Sequence, residues 1–397
     1  MTAKTRRAFL RHTAIATLGS LAERVARTAA LAGAGALFAR PARAAETYVL
    51  GVVLPAEAAA ASALQQGAGL GLDDANALAT LFGKMLRLEA ASASDGAGAA
   101  REARALARGG ALGVVGGTGA GVADGLRDAA ADGVLVMNVA APDDRLRNDR
   151  CERRLFHVAP SVTMLVDALA QWVVDQRRFT RWAVEGDGGA RAAEIEAAAR
   201  RALARLGGSV VESVSAEIRL LAGADDAVRS VLARARGEGR ADRVAGIGGE
   251  VPLALGGEEA AGLWSMGWHP ELDRFSAREL NARFRRRFNG PMTEPSWAAW
   301  AAVKLVGEAI VRGNATATTA VIAFLESAPP FDGHKGSALT FRKWDHQLRQ
   351  PLYVAAPRKR DEIAGRRGPF AVLADVPGGD LDTIGTTAAD TRCRFPA

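Results

Sequence analysis

Short runs of β-branched and apolar residues alternate with alanine-rich stretches from Tyr48 onward. The first run, Tyr48–Leu54, ends at a proline, and the stretch that follows it is typical of a helix. The same alternation predicts strands at 86–90, 111–115 and 134–139 and helices at 56–81, 99–107 and 122–131. Strands that alternate with helices at this spacing favour a parallel sheet covered by helices.

A second series of the same kind begins near Thr163. It comprises predicted helices at 163–174, 190–206 and 225–236 and predicted strands at 181–185, 209–214 and 243–247. The repeat predicts an α/β fold of two doubly wound, parallel-sheet lobes with an interlobe cleft. Open sheets of this kind bind ligands at the carboxyl ends of their strands, so the cleft is the expected site.

Two more helices and a tail are predicted towards the C-terminus. Ser276-x-x-Glu279 has the pattern of a capping box, and Thr293, Glu294 and Pro295 are predicted to start the next helix, with Pro in its first turn. Glycine, proline and charged residues dominate from about 357 to 385, which predicts a surface tail with little structure. The predicted division is a leader at 1–44, lobe 1 at 45–160 with a return segment at about 291–338, lobe 2 at 161–290 with a return segment at about 339–356, and a tail at 357–397.

The first 44 residues form a predicted export signal. Thr5-Arg6-Arg7-Ala8-Phe9-Leu10-Arg11 matches the twin-arginine pattern, and Ala42-Arg43-Ala44 offers small residues at a cleavage site. The uncharged run Thr28–Ala39 is 12 residues long, short of the roughly 20 that span a bilayer. A retained interfacial helix is the alternative, because charged residues interrupt the apolar stretch at 23, 24 and 27. We expect export of the folded protein to the periplasm and cleavage after Ala44.

Removal of the leader changes the net charge of the chain. The whole sequence has 51 Lys and Arg against 44 Asp and Glu, of which residues 1–44 hold eight and one. The 43 residues of each sign that remain balance, so the basic character that would favour a nucleic-acid partner belongs mostly to the leader. We therefore expect no nucleic-acid partner, and we expect a monomer.

The chain has two cysteines, Cys151 and Cys393. In an oxidising compartment an even pair predicts a disulfide, which would tie the C-terminus to the first lobe. Two unpaired thiols are the alternative interpretation. Catalysis by a thiol is not expected, because no Cys-x-x-Cys motif or nearby histidine supports it.

A glycine-rich loop, Gly116-Gly117-Thr118-Gly119-Ala120-Gly121, follows a predicted strand and leads into a helix. A dinucleotide-binding loop would need a third glycine at 122 or 124, where the chain has Val and Asp. What remains is a helix N-terminus with exposed N–H groups and the Thr118 hydroxyl, which can hold a carboxylate or another anion. We predict ligand contact at Thr118 and Gly119, with a plain tight turn as the alternative.

Further candidate ligand-binding residues follow other predicted strands. Asp143, Asp187 and Glu250 occupy such positions, as Thr118 does. Trp264 and Trp268 cluster after 246–255, and their flat, amphipathic rings suit a wall against a planar or apolar ligand. Packing in the core or at a hinge is the alternative for the two tryptophans.

The sequence carries no catalytic motif that we recognise. A Walker loop, a Gly-x-Ser-x-Gly elbow and a His-Glu-x-x-His motif are all missing from it. The histidines that follow the leader have no second His or Cys at ligand spacing, and the acidic pairs lack the trailing Glu of a calcium loop. We expect no enzyme activity, no metal and no cofactor.

The predicted export signal, the two wound lobes and the missing catalytic groups together resemble type I periplasmic solute-binding proteins, the branched-chain amino-acid-binding class of ABC transporters. The C-terminal half is similar to a subgroup linked to quinoprotein alcohol oxidation, and the agreement runs from about residue 140 to the end. The matching segments are Trp268-His269-Pro270, Arg283-Phe284, Gly290-Pro291-Met292-Thr293, Ala298-Ala299-Trp300, Val306-Gly307-Glu308-Ala309, Lys335-Gly336, Leu339-Thr340-Phe341-Arg342, Trp344-Asp345, Gln347-Leu348-Arg349-Gln350-Pro351, Leu381-Asp382-Thr383 and Cys393.

The resemblance implies a binding protein that serves an alcohol-oxidation system dependent on pyrroloquinoline quinone (PQQ). In amino-acid-binding relatives, loops after the third and fourth strands hold the zwitterion, and the corresponding stretches here are Gly117–Gly119 and Ala140–Asp143. Ala141 and Asp143 are therefore candidate contacts. Pro142 and Asp143 stand where a Thr is expected, which argues against ordinary amino-acid binding. PQQ is the leading candidate ligand, and an alcohol-derived metabolite is the second.

Three functions are compatible with the sequence. The first is a periplasmic solute-binding protein that delivers a small molecule to an ABC permease. The second is a periplasmic carrier or sensor of the same fold without a transporter, and the third is an unrecognised enzyme. A permease-docking surface has no motif that separates the first two, whereas the missing catalytic motifs disfavour the third.

Replacing Arg6 and Arg7 together with lysine should leave the precursor in the cytoplasm, because the twin-arginine pair is the feature that directs export of a folded chain. Cell fractionation and N-terminal sequencing measure this, and the exported wild-type protein should begin at Ala45. Recovery of the full-length chain in the periplasmic membrane fraction would contradict the prediction of a cleaved leader.

Overall fold

Strand β1 (Glu46–Pro55) is an interior strand of the first sheet, and its side chains are buried on both faces. Tyr48, Leu50 and Val52 enter one buried apolar cluster, whereas Val49 and Val53 enter another. A central strand of a parallel sheet is apolar on both faces because helices cover both. The computed structural model that shows this describes residues 45–118, 121–222, 225–247, 260, 262–358 and 370–395.

The first sheet has five parallel strands in the order β2-β1-β3-β4-β5. The other four strands are β2 (Lys84–Ala93), β3 (Ala111–Gly116), β4 (Val136–Asn138) and β5 (Leu155–His157). The intervening helices are α1 (Ala58–Ala79), α2 (Gly96–Arg108) and α3 (Val122–Ala131). We call this sheet and the elements packed on it lobe 1.

The second sheet has seven strands in the order β15-β14-β10-β9-β8-β6-β7. Five are parallel, namely β6 (Arg181–Gly186), β7 (Ser209–Val210), β8 (Ile218–Ala222), β9 (Val244–Gly246) and β10 (Leu263–Gly267). The antiparallel edge consists of β14 (Leu352–Pro357) and β15 (Phe370–Val376). This sheet, with α4 (Val162–Arg177), α5 (Ala190–Arg205) and α6 (Asp225–Gly237), is lobe 2.

Three helices and a small antiparallel sheet from the C-terminal half pack onto lobe 1. They are α7 (Ala277–Phe288), α8 (Glu294–Val311), α9 (Thr318–Glu326), β11 (Phe331–Asp332), β12 (Ala338–Phe341) and β13 (Leu348–Arg349). Residues of α7, α8, α9 and the small sheet share one buried cluster with β1. Over the described ranges, no helix has the length and apolar run needed to cross a membrane.

Within the described residues the chain passes between the lobes three times, at segments that we call the three crossings. Val158 belongs to the lobe 1 cluster and Val162 to the lobe 2 cluster, which places the first crossing after β5. The second crossing follows β10, between Met266 in lobe 2 and Trp268 in lobe 1. The third joins β13 to β14, and it contains Gln350.

The predicted α/β class with two parallel-sheet lobes is confirmed, but several details differ. The strand expected at 209–214 is only Ser209–Val210, and β8 at 218–222 was missed because Arg219 interrupts its apolar run. The expected tail contributes β15 to the second sheet, since Phe370 and Val376 are buried there. The lobe 2 range of 161–290 also extends too far, because Leu280 and Phe284 of α7 pack in the lobe 1 cluster.

The predicted capping box at Ser276 is wrong. Ser276 has a left-handed backbone, with φ of 63°, and its side chain caps no N–H group. Glu279 instead pairs with Arg286 at 3.3 Å. At the next helix the expectation holds, because the Thr293 side chain accepts a hydrogen bond from the Ser296 N–H at 3.4 Å.

The predicted disulfide between Cys151 and Cys393 is present, with the two Cα atoms 5.6 Å apart. Adjacent contacts fix the same segment, since the Arg392 N–H donates to Asn148 Oδ1 at 3.1 Å and the Arg392 guanidinium pairs with Asp149 at 2.9 Å. The end of the chain is therefore attached to the loop that follows β4.

Helix α1 packs against α8 through glycine. A Cβ at Gly67 would lie 2.1 Å from the Ser296 carbonyl oxygen, so only glycine permits this approach. Two residues further along α1, a Cβ at Gly69 would meet nothing closer than the Phe288 ring at 4.0 Å.

Gly67→Ala should lower the free energy of unfolding by about 1–3 kcal/mol, because the backbones of α1 and α8 must move apart. Gly69→Ala is the matched control and should raise it by about 0.5–1 kcal/mol, because alanine has the higher helix propensity. Denaturant unfolding measures both, and equal effects of the two substitutions would contradict the packing described.

Candidate functional site

A cavity of about 620 Å³ lies at the carboxyl ends of strands β1, β3 and β4 in lobe 1. Its walls come from the start of α1, the glycine-rich loop, the loop after β4 and the start of α8. The lining residues are Ala59, Ala60, Ala63, Gly117, Thr118, Gly121, Ala123, Asp124, Ala140, Ala141, Pro142, Asp143, Arg145, Leu146, Thr293 and Pro295. This is the sheet edge at which the sequence predicted a ligand site.

Three helices begin at this cavity, α1, α3 and α8, and among the described residues only α3 has no side-chain cap. The Glu57 carboxylate accepts hydrogen bonds from the N–H groups of Ala59 and Ala60 at 2.9 and 2.6 Å, which satisfies the start of α1. The residue before α3 is Gly121, with φ of 72°, and it has no side chain to cap that helix. The start of α3 is therefore suited to an anionic group from a ligand.

The Thr118 hydroxyl lies at the cavity, and no described residue is its hydrogen-bond partner. Thr118 Oγ1 is buried, and among the described residues it makes no hydrogen bond. Burying a hydroxyl without a partner costs about 1–3 kcal/mol, so such groups in folded proteins usually have a partner that completes them. A ligand oxygen in the cavity would serve as that partner.

Asn138, at the carboxyl end of β4, holds the loop that forms the opposite wall. Its Oδ1 accepts from the Ala141 N–H at 2.9 Å, and its Nδ2 donates to the Ala141 carbonyl at 2.7 Å. Gly117 packs directly on this amide, because a Cβ there would lie 2.4 Å from Asn138 Oδ1 and because φ at Gly117 is +124°. The two loops of the cavity are thus fitted to each other.

His157, on β5, completes the hydrogen bonding of Asn138. His157 Nε2 lies 3.1 Å from the Leu146 carbonyl and must donate to it, so Nδ1 accepts from Asn138 Nδ2 at 2.9 Å. Burial, followed by the nearby Arg147 charge, holds the pKa of His157 well below its ordinary value. The ring is therefore neutral and serves as a structural support.

Arg147 is buried behind the cavity wall and organises it. Its guanidinium donates to the carbonyls of Ala141, Asp143 and Ala159 at 3.1, 2.9 and 2.8 Å and to Gln347 Oε1 at 2.6 Å. Burial lowers the pKa of Arg147 to about 10, and the surrounding carboxylates oppose this shift. The group stays charged at neutral pH and adds positive potential behind the Ala141–Leu146 wall.

The rim of the cavity carries a loose ionic cluster. Arg145 lies 3.7 Å from Asp143 and 3.8 Å from Asp124, and Arg150 pairs with Asp124 at 2.8 Å. These side chains are one-third exposed or more, so the pairs contribute little to stability and can rearrange around a solute.

The structure brings together three of the predicted site residues, Thr118, Ala141 and Asp143. Asp187 is exposed at the carboxyl end of β6, where its Oδ1 accepts from the Gly189 N–H at 2.9 Å ahead of α5. Gly119 and Glu250 lie outside the described residues.

The two tryptophans do not form a wall of the cavity, which corrects the expectation for them. Trp268 is fully buried, stacks on Trp297 at 5.6 Å between ring centroids, and donates from its indole to Asn281. Trp264 packs edge-on against Trp172 at 5.0 Å. Trp264 lies on apolar strand β10 and Trp268 directly follows it, and both enter the buried cores, so core packing is the correct interpretation.

Sequence reasoning missed the residues that hold the cavity together, Asn138, Arg147, His157 and Gln347. Asn138 was detectable in principle, because it is a polar residue at the carboxyl end of an apolar strand run. Arg147 was not, since a buried arginine carries no sequence signal in a chain this rich in arginine. Within the part of the chain that the structure describes, no cluster of His, Cys, Asp and Glu could hold a metal ion.

The sequence profile described as periplasmic binding protein matches residues 47–242 and 215–361. Together these two matches span most of the chain. A comparison with curated protein sequences gives no match.

Solved structures share the fold. A periplasmic binding protein from Burkholderia mallei is 22% identical with a TM-score of 0.70, over 88% of this chain and 99% of that one. A branched-chain amino acid ABC transporter periplasmic ligand-binding protein from Burkholderia xenovorans has a TM-score of 0.75 at 17% identity, over 88% of this chain and 99% of that one. A branched-chain amino acid transporter substrate-binding protein from Streptococcus pneumoniae, solved with isoleucine, has a TM-score of 0.66 at 18% identity, over 83% and 99%.

Thr118→Val should leave the melting temperature of the ligand-free protein unchanged or raise it, because it removes a buried hydroxyl that has no described partner. Asn138→Ala, which removes the hydrogen bonds to Ala141 and His157, should lower the unfolding free energy by about 1–3 kcal/mol. Calorimetry of the two variants measures the contrast. A large loss of stability in Thr118→Val would show that the hydroxyl already has a partner.

Proposed function

The chain belongs to the periplasmic binding protein family, and on that basis we propose that it captures a small solute in the lobe 1 cavity and presents it to an ABC permease. The Burkholderia xenovorans protein of the same fold, a periplasmic ligand-binding protein of an ABC transporter, supports the permease as a partner. The twin-arginine pattern supports a periplasmic location. Closure of lobe 2 over the cavity would complete the enclosure of the solute.

The observation that carries this proposal is that the buried Thr118 hydroxyl and the uncapped start of helix α3 line the same cavity. A hydroxyl donor beside a helix N-terminus is a receptor for a carboxylate. The alanine side chains and Pro295 around it supply an apolar wall for the rest of the solute.

The solute in this proposal is a small carboxylated molecule other than a branched-chain amino acid. PQQ is the specific candidate, followed by an alcohol-derived metabolite, and the link to quinoprotein alcohol oxidation is part of the same proposal. Pro142 and Asp143 in the second loop support a departure from zwitterion binding. Because the tryptophans are buried, they do not support a planar ligand. The proposal of PQQ therefore rests on the size and the carboxylates of that molecule.

The experiment combines native mass spectrometry of protein purified from its own periplasm with calorimetric titration of PQQ, leucine and isoleucine. We expect a co-purifying solute and binding of PQQ but not of the amino acids, with the affinity reduced about tenfold or more in Thr118→Val. Trp344→Ala is the control and should leave the affinity unchanged, because its indole donates to the Thr386 carbonyl away from the cavity.

Two results would contradict parts of the proposal. Tight leucine binding, or no PQQ binding at tens of micromolar, would reject the proposed solute while leaving solute capture intact. A protein that carries no solute and binds none of the three, with Thr118→Val indistinguishable from the wild type, would reject the site itself.

A further inference from the structure

Lys335 is buried in the interior of the protein although it carries an ammonium group. Its side chain has no exposed surface, and it lies between β11 and β12. Nζ is 3.8 Å from the centre of the Trp297 ring, 6.0 Å from that of Trp268 and 5.9 Å from that of Tyr353. A desolvated ammonium against aromatic faces gains cation–π stabilisation but needs polar partners as well.

The polar partners of Lys335 connect it to all three crossings. Nζ donates to Gln350 Oε1 at 2.5 Å, and Gln350, in the third crossing, donates from Nε2 to the Val158 carbonyl of the first crossing at 2.7 Å. Nζ is also 3.9 Å from the Glu294 carboxylate, whose other oxygen accepts from the Trp268 N–H of the second crossing. A single buried charge is thus linked to every segment that joins the lobes.

We propose that Lys335 is a latch on the interlobe hinge, which holds the three crossings in the observed arrangement while its ammonium is charged and releases them when the charge is lost. Two buried atoms in the cluster, Glu294 Oε1 and Tyr353 Oη, have no hydrogen-bond partner among the described residues, so alternative pairings are available when the crossings move. The latch acts in the ligand-free protein and does not depend on the identity of the solute.

The charge of Lys335 changes within an accessible pH range. Burial lowers its pKa from 10.5 to about 8, and Glu294 opposes that shift. The titratable groups that face it are Glu294 on α8 and Tyr353 on β14, with the Arg274–Asp375 pair behind Tyr353. Burial raises the pKa of Tyr353, and it lowers those of the four described histidines, so none of these groups titrates between pH 7 and 9.5.

The sign of the linked change in global stability follows from the same pKa. Because the folded-state pKa lies below that of the unfolded chain, the unfolded chain binds more protons between about pH 8 and 10.5. The Lys335 contribution to the free energy of unfolding therefore rises with pH across this window. Release leaves Lys335 buried but without Gln350 and Glu294 as partners, which lowers its pKa below that of the held arrangement, so deprotonation favours release even as it stabilises the fold.

The test measures interlobe distances by pulsed electron resonance between spin labels at Leu81→Cys in lobe 1 and Val214→Cys in lobe 2, both of which are highly exposed. The full chain is measured without solute at pH 6.5 and 9.5. At pH 9.5 we expect the ratio of the interlobe distance that dominates at pH 6.5 to all other distances to be about tenfold lower than at pH 6.5. A change of this order is expected for the loss of one charge-assisted hydrogen bond.

Lys335→Met should show the released distribution at both pH values. Lys84→Met is the matched control, because Lys84 is also buried but bonds the Ile310 carbonyl and Asn314 within lobe 1, and it should retain the wild-type pH response. Glu294→Gln keeps an acceptor for Trp268 and should move the transition to lower pH. This variant also tests the latch if Lys335→Met fails to fold.

Two outcomes would overturn the proposal. The first is a distance distribution that is the same at pH 6.5 and 9.5 in the wild type. The second is a pH response that persists in Lys335→Met or keeps its midpoint in Glu294→Gln.

Discussion

The first crossing between the lobes is buried, so its backbone carbonyls must be satisfied by side chains, and the rest of the structure depends on this constraint. Gln347 donates to the carbonyls of His157 and Ala159, Gln350 donates to that of Val158, and Arg147 donates to that of Ala159. Unpaired, each carbonyl would cost about 1–3 kcal/mol. The polar residues that join the lobes are therefore required by the folding of the chain.

The same side chains form the cavity. Besides the Ala159 carbonyl, the Arg147 guanidinium donates hydrogen bonds to the carbonyls of Ala141 and Asp143. The Asn138 amide also donates to the Ala141 carbonyl. The cavity wall and the first crossing are therefore parts of one hydrogen-bond network. A solute that moves the Ala141–Leu146 loop would act on Arg147 and Gln347, and through them on the segments between the lobes.

The sequence predicted the layers of the fold and the edge where the cavity lies, because both follow from hydrophobic periodicity. Thr118 and Asp143, predicted as ligand contacts, both line the cavity, since polar residues after buried strands gather at one sheet edge, and their contact with a ligand stays a prediction. Sequence reasoning failed where a residue type has two common environments. Trp268 and Trp264 suit a cleft or a core equally well, and only their packing decides, on Trp297 of α8 for Trp268 and on Trp172 of α4 for Trp264. From the sequence, Arg147 and Lys335 would be expected at the surface because they are charged. They are buried in the structure because the crossings enclose them.

The central claim is that a solute completes the hydrogen bonding of the Thr118 hydroxyl in the cavity that the start of α3 also lines. The most direct measurement is a crystal structure of the protein purified from its own periplasm with whatever it carries. The account predicts electron density for a small molecule with an oxygen within about 3 Å of Thr118 Oγ1, bounded by Ala141 and Pro295. Density for a bound molecule elsewhere in the cleft, with Thr118 bonded to the protein, would contradict it.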